Sequence, residues 1–187
     1  MAKQSKTSAA TKKAFVDAFC MLYGDKSIEK ITVQELTRKA GYNRCTFYQY
    51  FKGTHDLLNY IEDETIARIK EAVGANLGRV DFSDLFIKSF SNIPEETKNY
   101  TEMLLCSQNG AKFAERAKAA IVTVIMDHFK ISEDDEKAVY LLEYYLAGVI
   151  SVASRWLRSG RKMPIEELGK LIHSLLTEGL LSALKKH

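Results

Sequence analysis

Apolar side chains recur at helical spacing along most of the sequence. The first stripe consists of Phe15, Ala18, Phe19 and Leu22, spaced i, i+3, i+4 and i+7. Such spacing places the side chains on one face of an amphipathic helix, which Gly24 is expected to end. A second stripe consists of Leu57, Leu58, Ile61, Ile66, Ile69 and Val73. It predicts one long helix that begins after Gly53.

Two short helices are predicted between these long ones. Thr32 and Glu35 have the spacing of a capping box, in which each side chain bonds a free amide at the start of a helix. The second helix therefore begins near Thr32 and ends at Gly41, which tolerates the left-handed backbone of a tight turn. Asn43 can cap a third helix, from about Arg44 to Tyr50. Two such helices form a helix-turn-helix, although purely structural helical hairpins share this pattern.

The rest of the sequence predicts several more helices and no strand. They are separated by the segments "SNIPEET", "SQNGAK", "KISEDD" and "SGRKMP". We therefore predict an all-α fold. Residues 1–53 would form an N-terminal three-helix helix-turn-helix domain, residues 54–82 a connecting helix, and residues 83–187 a C-terminal helical domain.

The composition is that of a globular protein, with 46% hydrophobic and 27% charged residues and two prolines. The first 53 residues hold ten Lys and Arg and four Asp and Glu, whereas the remaining residues hold 17 and 20. A basic first third favours contact with a polyanion. No apolar run approaches the roughly 20 residues of a membrane span, and the N-terminus lacks the apolar block of a signal peptide. We therefore expect a cytoplasmic protein without a membrane partner.

Neither the cysteines nor the histidines have the spacing of metal ligands. The cysteines are Cys20, Cys45 and Cys106, which lie far apart with no CxxC pair. The histidines are His55, His128, His173 and His187, which form no ligand-spaced pair. We predict reduced thiols, no metal site and no cofactor.

The predicted third helix has an apolar face and a large polar face. At about 100° per residue, Phe47 and Phe51 lie about 40° apart and point inward. The other side carries Cys45, Thr46, Tyr48 and Gln49, with Arg44 at the N-terminal end. In DNA recognition Arg pairs with guanine, Gln pairs with adenine and hydroxyls bind phosphates. Tyr48 lies at the rim, where phosphate contact is favoured, whereas Tyr50 lies near the apolar side and is interpreted as a core residue.

The segment "ITVQELTRKAGYNRCTFYQYFKGTHDLL" resembles the DNA-binding segment of the TetR family of bacterial transcriptional regulators. The resemblance covers roughly residues 10–60, and "TFYxYFK" is its specific element. It implies phosphate contacts by Thr32, Thr46, Tyr48 and Lys52. It implies base contacts by Arg44, Cys45 and Gln49.

Regulators of this family are two-fold dimers, which implies a homodimer on double-stranded DNA. Two recognition helices would then enter successive major grooves of a near-palindromic operator. Cys45 departs from the Gly, Ala, Ser or Pro that the family more often has. It is either a small side chain that allows close approach or a thiol whose oxidation would alter DNA affinity.

The resemblance assigns residues 83–187 a regulatory and dimerising role, with an unknown small-molecule or protein effector. The candidate pocket walls are Phe86, Phe90, Tyr100, Met103, Leu104, Phe113, Ile121 and Met126, all of which would also suit an ordinary core. Two apolar helices from each subunit would form the dimer interface, through Leu146, Ile150, Trp156, Leu168, Ile172 and Leu175. The layout is similar to a TetR subgroup, common in Gram-positive bacteria, that includes a regulator of dihydroxyacetone utilisation.

Three functions compete. The first is a TetR-like sequence-specific DNA-binding transcriptional regulator, a repressor released by a small ligand. The second is a helical enzyme with an acid or base drawn from Asp127, His128 or Glu143, but no nucleophile motif, phosphate loop or metal spacing accompanies them. The third is a regulator or interaction module controlled by a protein partner. We predict a DNA-binding regulator without enzymatic activity.

Overall fold

The computed structural model describes residues 2–81 and 84–178, with side chains from residue 8 onward. Over these residues the backbone forms nine α-helices, one short 3-10 helix and no strand, which confirms the predicted all-α fold. The α-helices are α1 (Ala2–Tyr23), α2 (Val33–Ala40), α3 (Arg44–Tyr48), α4 (Thr54–Asn76), α5 (Leu85–Asn92), α6 (Glu95–Cys106), α7 (Gly110–Phe129), α8 (Glu136–Arg158) and α9 (Ile165–Thr177). None of the described helices is both long and apolar enough to cross a lipid bilayer.

The chain divides into two compact units, Met1–Glu64 and Thr65–His187. The division falls within α4, so this helix contributes its first part to one unit and its second part to the other. The domain limits expected from the sequence, after residues 53 and 82, stay predictions. Residues 1, 82, 83 and 187, at which predicted domains begin or end, lie outside the described residues.

An apolar core holds the helices of the N-terminal unit together. Its fully buried side chains come from α1 to α4 and include Phe15, Phe19, Leu36, Phe47, Leu57 and Ile61. The whole predicted stripe of α1 is buried, which confirms the helical pattern seen in the sequence. Gly24 directly follows the last residue of α1, as expected.

A second apolar core lies within the C-terminal unit. It is built from α4, the segment after it, α5, α7 and α8, through Val73, Leu77, Leu85, Ile125, Leu142 and Leu146. Each of the four polar segments predicted to separate helices covers the gap between two successive α-helices in the structure. The coarse division of this half was therefore predictable from turn residues alone.

Trp156 and Arg161 fix the turn between α8 and α9. The indole Nε1 of Trp156 donates a hydrogen bond to the carbonyl oxygen of Met163, 2.6 Å away. Arg161 has a left-handed backbone, with φ of 56°, and its guanidinium donates to the carboxylate of Glu102 at 2.6 Å. Because Glu102 belongs to α6, the ion pair ties the α8–α9 turn to a third helix.

Gly110, the first residue of α7, has no room for a side chain. A Cβ atom there would overlap the backbone carbonyl of Leu105, whereas a Cβ at Gly74 on α4 would make only an ordinary contact, 3.7 Å from Val124. We expect Gly110→Ala to lower the free energy of unfolding by about 1–3 kcal/mol, because the backbone must shift. Gly74→Ala should raise it by about 0.5–1 kcal/mol, because alanine is favoured inside a helix.

Thermal denaturation followed by circular dichroism measures both variants. Equal shifts of the two midpoints, in either direction, would contradict the steric explanation for Gly110.

Candidate nucleic-acid interface

The third helix is short and is fixed at its N-terminus by Asn43. The Asn43 side chain accepts a hydrogen bond from the Thr46 amide at 2.8 Å and another from the Thr46 hydroxyl at 3.1 Å. This confirms Asn43 as the predicted cap. The helix ends at Tyr48 rather than at the predicted Tyr50, since the amide of Tyr50 bonds the carbonyl of Phe47 in a tighter turn at 2.9 Å.

The second helix begins with half of the predicted capping box. The Thr32 hydroxyl accepts a hydrogen bond from the Glu35 amide at 3.2 Å. The Glu35 carboxylate does not return the bond to Thr32 as expected but pairs with the Lys26 ammonium at 2.6 Å. Gly41 ends the helix with φ of 76°, the left-handed conformation that the sequence predicted.

An aromatic cluster supports α3 from inside the N-terminal unit. Phe15 of α1 lies at its centre, with ring centroids 5.3 Å from Phe47 and 6.4 Å from Phe51, both edge-on. Tyr42 lies 5.3 Å and Tyr50 6.5 Å from the same ring. Tyr50, which was interpreted as a core residue from the sequence, is half-buried and packs against this core. Edge-on and tilted pairs at these distances are favourable arrangements for aromatic rings.

The opposite side of α3 faces outward. Arg44, Cys45 and Gln49 are exposed, Thr46 is half-buried, and Tyr48 keeps 57% of its surface exposed. Thr32 at the start of α2 and Lys52 after α3 are exposed as well. The structure thus leaves six of the seven predicted DNA-contacting residues exposed, while their contacts with DNA stay a prediction.

Arg44 has a partner that the sequence analysis missed. Its guanidinium donates to the side-chain oxygen of Gln34 at 2.6 Å. Gln34 is exposed and is the second residue of α2. The pair therefore joins the N-terminal turns of the two helices of the helix-turn-helix. The only signal in the sequence was a long polar residue at the start of each helix.

Asp56 orders the chain around Lys52. Its carboxylate accepts a hydrogen bond from the Lys52 backbone amide at 2.8 Å, and Asp56 lies in the first turn of α4. This fixes the backbone of Lys52 while its side chain remains exposed. A carboxylate at this position is also favourable for the helix dipole.

An apolar cavity lies within the C-terminal unit. Three of the eight predicted wall residues line it, namely Phe86, Phe90 and Ile121. The other five lie elsewhere: Leu104 and Phe113 are almost completely buried, Met126 packs against the core, the Tyr100 hydroxyl donates to Glu96 at 2.6 Å, and Met103 is half-buried on α6. For these five, ordinary packing or surface contact is what the structure describes.

The residues predicted for the dimer interface lie mostly inside the protomer. Leu146, Trp156, Leu168 and Ile172 are buried, and Ile150 and Leu175 are half-buried. The exposed apolar side chains on α8 and α9 are instead Tyr140, Leu141, Tyr144 and Leu176. A groove of about 470 Å³ runs past Tyr144, Gly148 and Leu176. The sequence pattern could not separate the inner and outer sides of α8 and α9, and the place of the dimer interface stays a prediction.

Two of the candidate acids and bases of the enzyme hypothesis, Glu143 and His128, make described contacts with other side chains. Glu143 on α8 is ion-paired with Lys118 on α7. Lys118 also pairs with Glu115 at 2.9 Å, and hydrogen bonds to Glu143 and Glu115 raise the pKa of its ammonium. The His128 ring packs edge-on against Phe129, with centroids 4.8 Å apart. Within the described ranges, no three His, Cys, Asp or Glu side chains could hold a metal ion.

Two family models match the chain. Residues 15–61 match the bacterial regulatory proteins of the tetR family, and residues 81–178 match a transcriptional regulator C-terminal region. The chain belongs to the TetR family of transcriptional regulators. The first match covers the helix-turn-helix with its exposed α3, and the second covers α8, α9 and most of the residues that line the apolar cavity. The predicted family and the DNA-binding helix-turn-helix are confirmed.

Other TetR-like proteins are similar over part or all of the chain. An uncharacterised HTH-type transcriptional regulator of Bacillus subtilis, YwcC, is 31% identical over 65 residues, which cover 35% of this chain and 29% of YwcC. The chain therefore matches less than a third of the length of that curated relative.

Solved structures share the fold. A TetR regulator from Streptococcus agalactiae superposes with a TM-score of 0.67 at 21% identity, over 92% of this chain and 96% of its own. A tetR-family regulator from Streptomyces coelicolor superposes with a TM-score of 0.62 at 16% identity, over 95% of this chain and 83% of its own. The dihydroxyacetone kinase operon activator DhaS superposes with a TM-score of 0.60 at 22% identity, over 89% of this chain and 93% of its own.

Substitutions in the aromatic cluster and on the exposed face of α3 should affect the stability of this TetR regulator differently. Phe47→Ala should lower the free energy of unfolding by about 3–5 kcal/mol, because it empties the centre of the core. Tyr48→Ala on the same helix should lower it by about 1 kcal/mol or less, because Tyr48 is a surface residue. Urea denaturation followed by circular dichroism compares the two. A Tyr48 variant as unstable as the Phe47 variant would mean that the exposed face supports the fold.

Proposed function

We propose that the protein is a cytoplasmic repressor that binds a near-palindromic operator as a homodimer and is released when a small ligand binds its C-terminal unit. The observation that carries this proposal is the outward polar face of α3, backed by the buried Phe47 and Phe51. The two buried aromatic rings fix the orientation of the helix. The exposed side chains would therefore enter a DNA groove in a single orientation. No enzymatic activity is part of the proposal.

Base contacts are assigned to Arg44, Cys45 and Gln49. Arg can bond guanine and Gln can bond adenine through two hydrogen bonds each, and Cys45 is small enough to allow the backbone close to a base. Phosphate contacts are assigned to Thr32, Thr46, Tyr48 and Lys52, which carry hydroxyls or an ammonium. The basic first third supports this assignment, since phosphate contacts account for most of the salt-dependent affinity.

The homodimer is assigned to the outer faces of α8 and α9. Tyr144 is 82% exposed, Tyr140 69% and Leu141 61% within a single chain. Large apolar side chains clustered on a surface are typical of an interface. A second copy covering them would give the two-fold axis that a palindromic operator requires. The six buried or half-buried residues predicted from the sequence would support this surface from behind.

Control by a small ligand is favoured over control by a protein partner because the C-terminal unit contains an apolar cavity. A ligand there would contact α5, α7 and α8, the last of which also carries the proposed dimer surface. The structurally similar DhaS is an operon activator. A reporter gene placed behind the operator of the present protein would therefore distinguish activation from repression.

Genomic SELEX with the purified protein at about physiological salt should recover a two-fold symmetric motif. On that motif, Arg44→Ala should reduce discrimination at one base pair of each half-site by about 1–3 kcal/mol. Lys52→Ala should weaken binding to all sequences alike and lower the slope of log K against log salt by about one for each phosphate that is no longer neutralised. Fluorescence anisotropy over a salt series measures both effects.

Lys170→Ala is a control, since Lys170 is an exposed lysine of α9, far along the chain from the helix-turn-helix. It should leave both the affinity and the salt slope unchanged. If Arg44→Ala and Lys52→Ala also change neither, the assignment of the recognition surface is wrong.

The dimer surface has its own test. Tyr144→Glu should convert a dimer into single chains of 21.2 kDa, because it places a charge on the apolar surface. Phe129→Glu introduces the same charge at another exposed aromatic residue, on α7, and should leave the dimer intact. Sedimentation equilibrium gives the mass of each variant. A dimer that survives Tyr144→Glu but not Phe129→Glu would move the interface to the end of α7.

A further inference from the structure

The cavity of the C-terminal unit is lined by side chains from α4, α5, α6, α7 and α8 and by Ile93 between α5 and α6, and it has a volume of about 110 Å³. Its apolar lining includes Phe86, Phe90, Ile121, Leu146 and Val149. Among the residues that the structure describes, no charged side chain lines it. A cavity of this size and lining accommodates a small ring or a short branched chain, since benzene fits an apolar cavity of roughly 150 Å³.

One polar group in this lining has no hydrogen-bond partner. Ser89 on α5 is 5% exposed, and its hydroxyl bonds nothing in the described structure. A serine within a helix commonly bonds the carbonyl oxygen one turn before it, but Ser89 does not. Buried hydroxyls are nearly always hydrogen-bonded, and each exception requires an explanation. Ser89 is one of the residues that line the cavity.

The other hydroxyls in the lining differ from that of Ser89. The Thr101 hydroxyl donates to the carbonyl oxygen of Thr97 at 2.7 Å, so its proton is already used. Burial raises the pKa of Tyr145 to about 12. The Tyr145 side chain is therefore neutral at physiological pH and supplies no charge to the site.

We propose that this cavity binds a small, uncharged, mostly apolar molecule that carries one hydroxyl or carbonyl group, and that this group hydrogen-bonds the Ser89 hydroxyl. The inference rests on the proposed function, because it names the class of ligand that would control the regulator. A carboxylate or an amine is excluded, since burying a charge without a partner of opposite sign is unfavourable. A pure hydrocarbon would fill the cavity but leave Ser89 unbonded.

Trp156 reports on the cavity. It is the single tryptophan of the chain, and its ring packs edge-on against the cavity residue Phe90, with centroids 5.6 Å apart. A ligand that displaces Phe90 changes the surroundings of the indole. Intrinsic fluorescence therefore measures occupancy on the unmodified 187-residue chain, without DNA.

The test uses three probes of the same carbon skeleton: cyclopentanol, cyclopentane and cyclopentanecarboxylate. The wild-type protein should bind cyclopentanol and cyclopentane but not the carboxylate. Ser89→Ala should weaken cyclopentanol binding about three- to tenfold, the value of one hydrogen bond, and should change cyclopentane binding by about twofold or less. Ser91→Ala, on the exposed side of the same helix, is the matched control and should change neither.

Folding of the Ser89 variant is measured separately by its thermal midpoint, which should equal or exceed that of the wild type, because the change removes an unbonded buried hydroxyl. Equal losses for cyclopentanol and cyclopentane, binding of the carboxylate, or binding of none of the probes up to their solubility would each overturn the proposal.

A second measurement separates this proposal from the proposed function. Cyclopentanol is added to the protein bound to its operator. Binding to the free protein that depends on Ser89 supports the site whether or not the operator is released. If saturating cyclopentanol fails to release the protein from its operator, only the proposal of ligand-controlled repression is contradicted. If no operator is recovered at all, the proposal that the protein is a repressor is contradicted.

Discussion

The packing of Phe15 against Phe47 is the contact on which the proposed DNA-binding surface depends. α3 has five residues, too few to be stable as an isolated helix. Its position is fixed by burying Phe47 and Phe51 against a ring supplied by α1 and by the cap at Asn43. The orientation of every exposed group on α3 follows from this inner contact. The apolar side of the helix therefore determines what its polar side can recognise.

In the C-terminal unit, ion pairs between helices add to the apolar packing. Arg161 joins the α8–α9 turn to Glu102 on α6, and Lys118 joins α7 to Glu143 on α8. Both links involve α8 or the turn that follows it. A change in the position of α8 would therefore be transmitted to α6 and α7 through charged contacts as well as through the apolar core. Ser89, by contrast, is a polar group without a link.

The sequence predicted those structural features that depend on interactions between residues close together in the chain. Gly41, Asn43 and the spacing of Phe47 and Phe51 were sufficient to place the turn, the cap and the inner side of α3, because each acts within one helical turn. Features that depend on how helices cross were not predictable. The end of α3 at Tyr48, the burial of four of the six residues predicted for the dimer interface, and the cavity all follow from packing between segments distant in sequence.

The hydrogen bond from Arg44 to Gln34 has a consequence for how such a surface diversifies. The guanidinium is held in one direction before DNA arrives, so part of the ordering entropy of a long side chain is lost during folding rather than during binding. Gln34 lies on α2, so a substitution there would redirect the Arg44 side chain, which we propose contacts a base, without altering α3. The direction of the Arg44 side chain can thus change through substitution in a neighbouring helix.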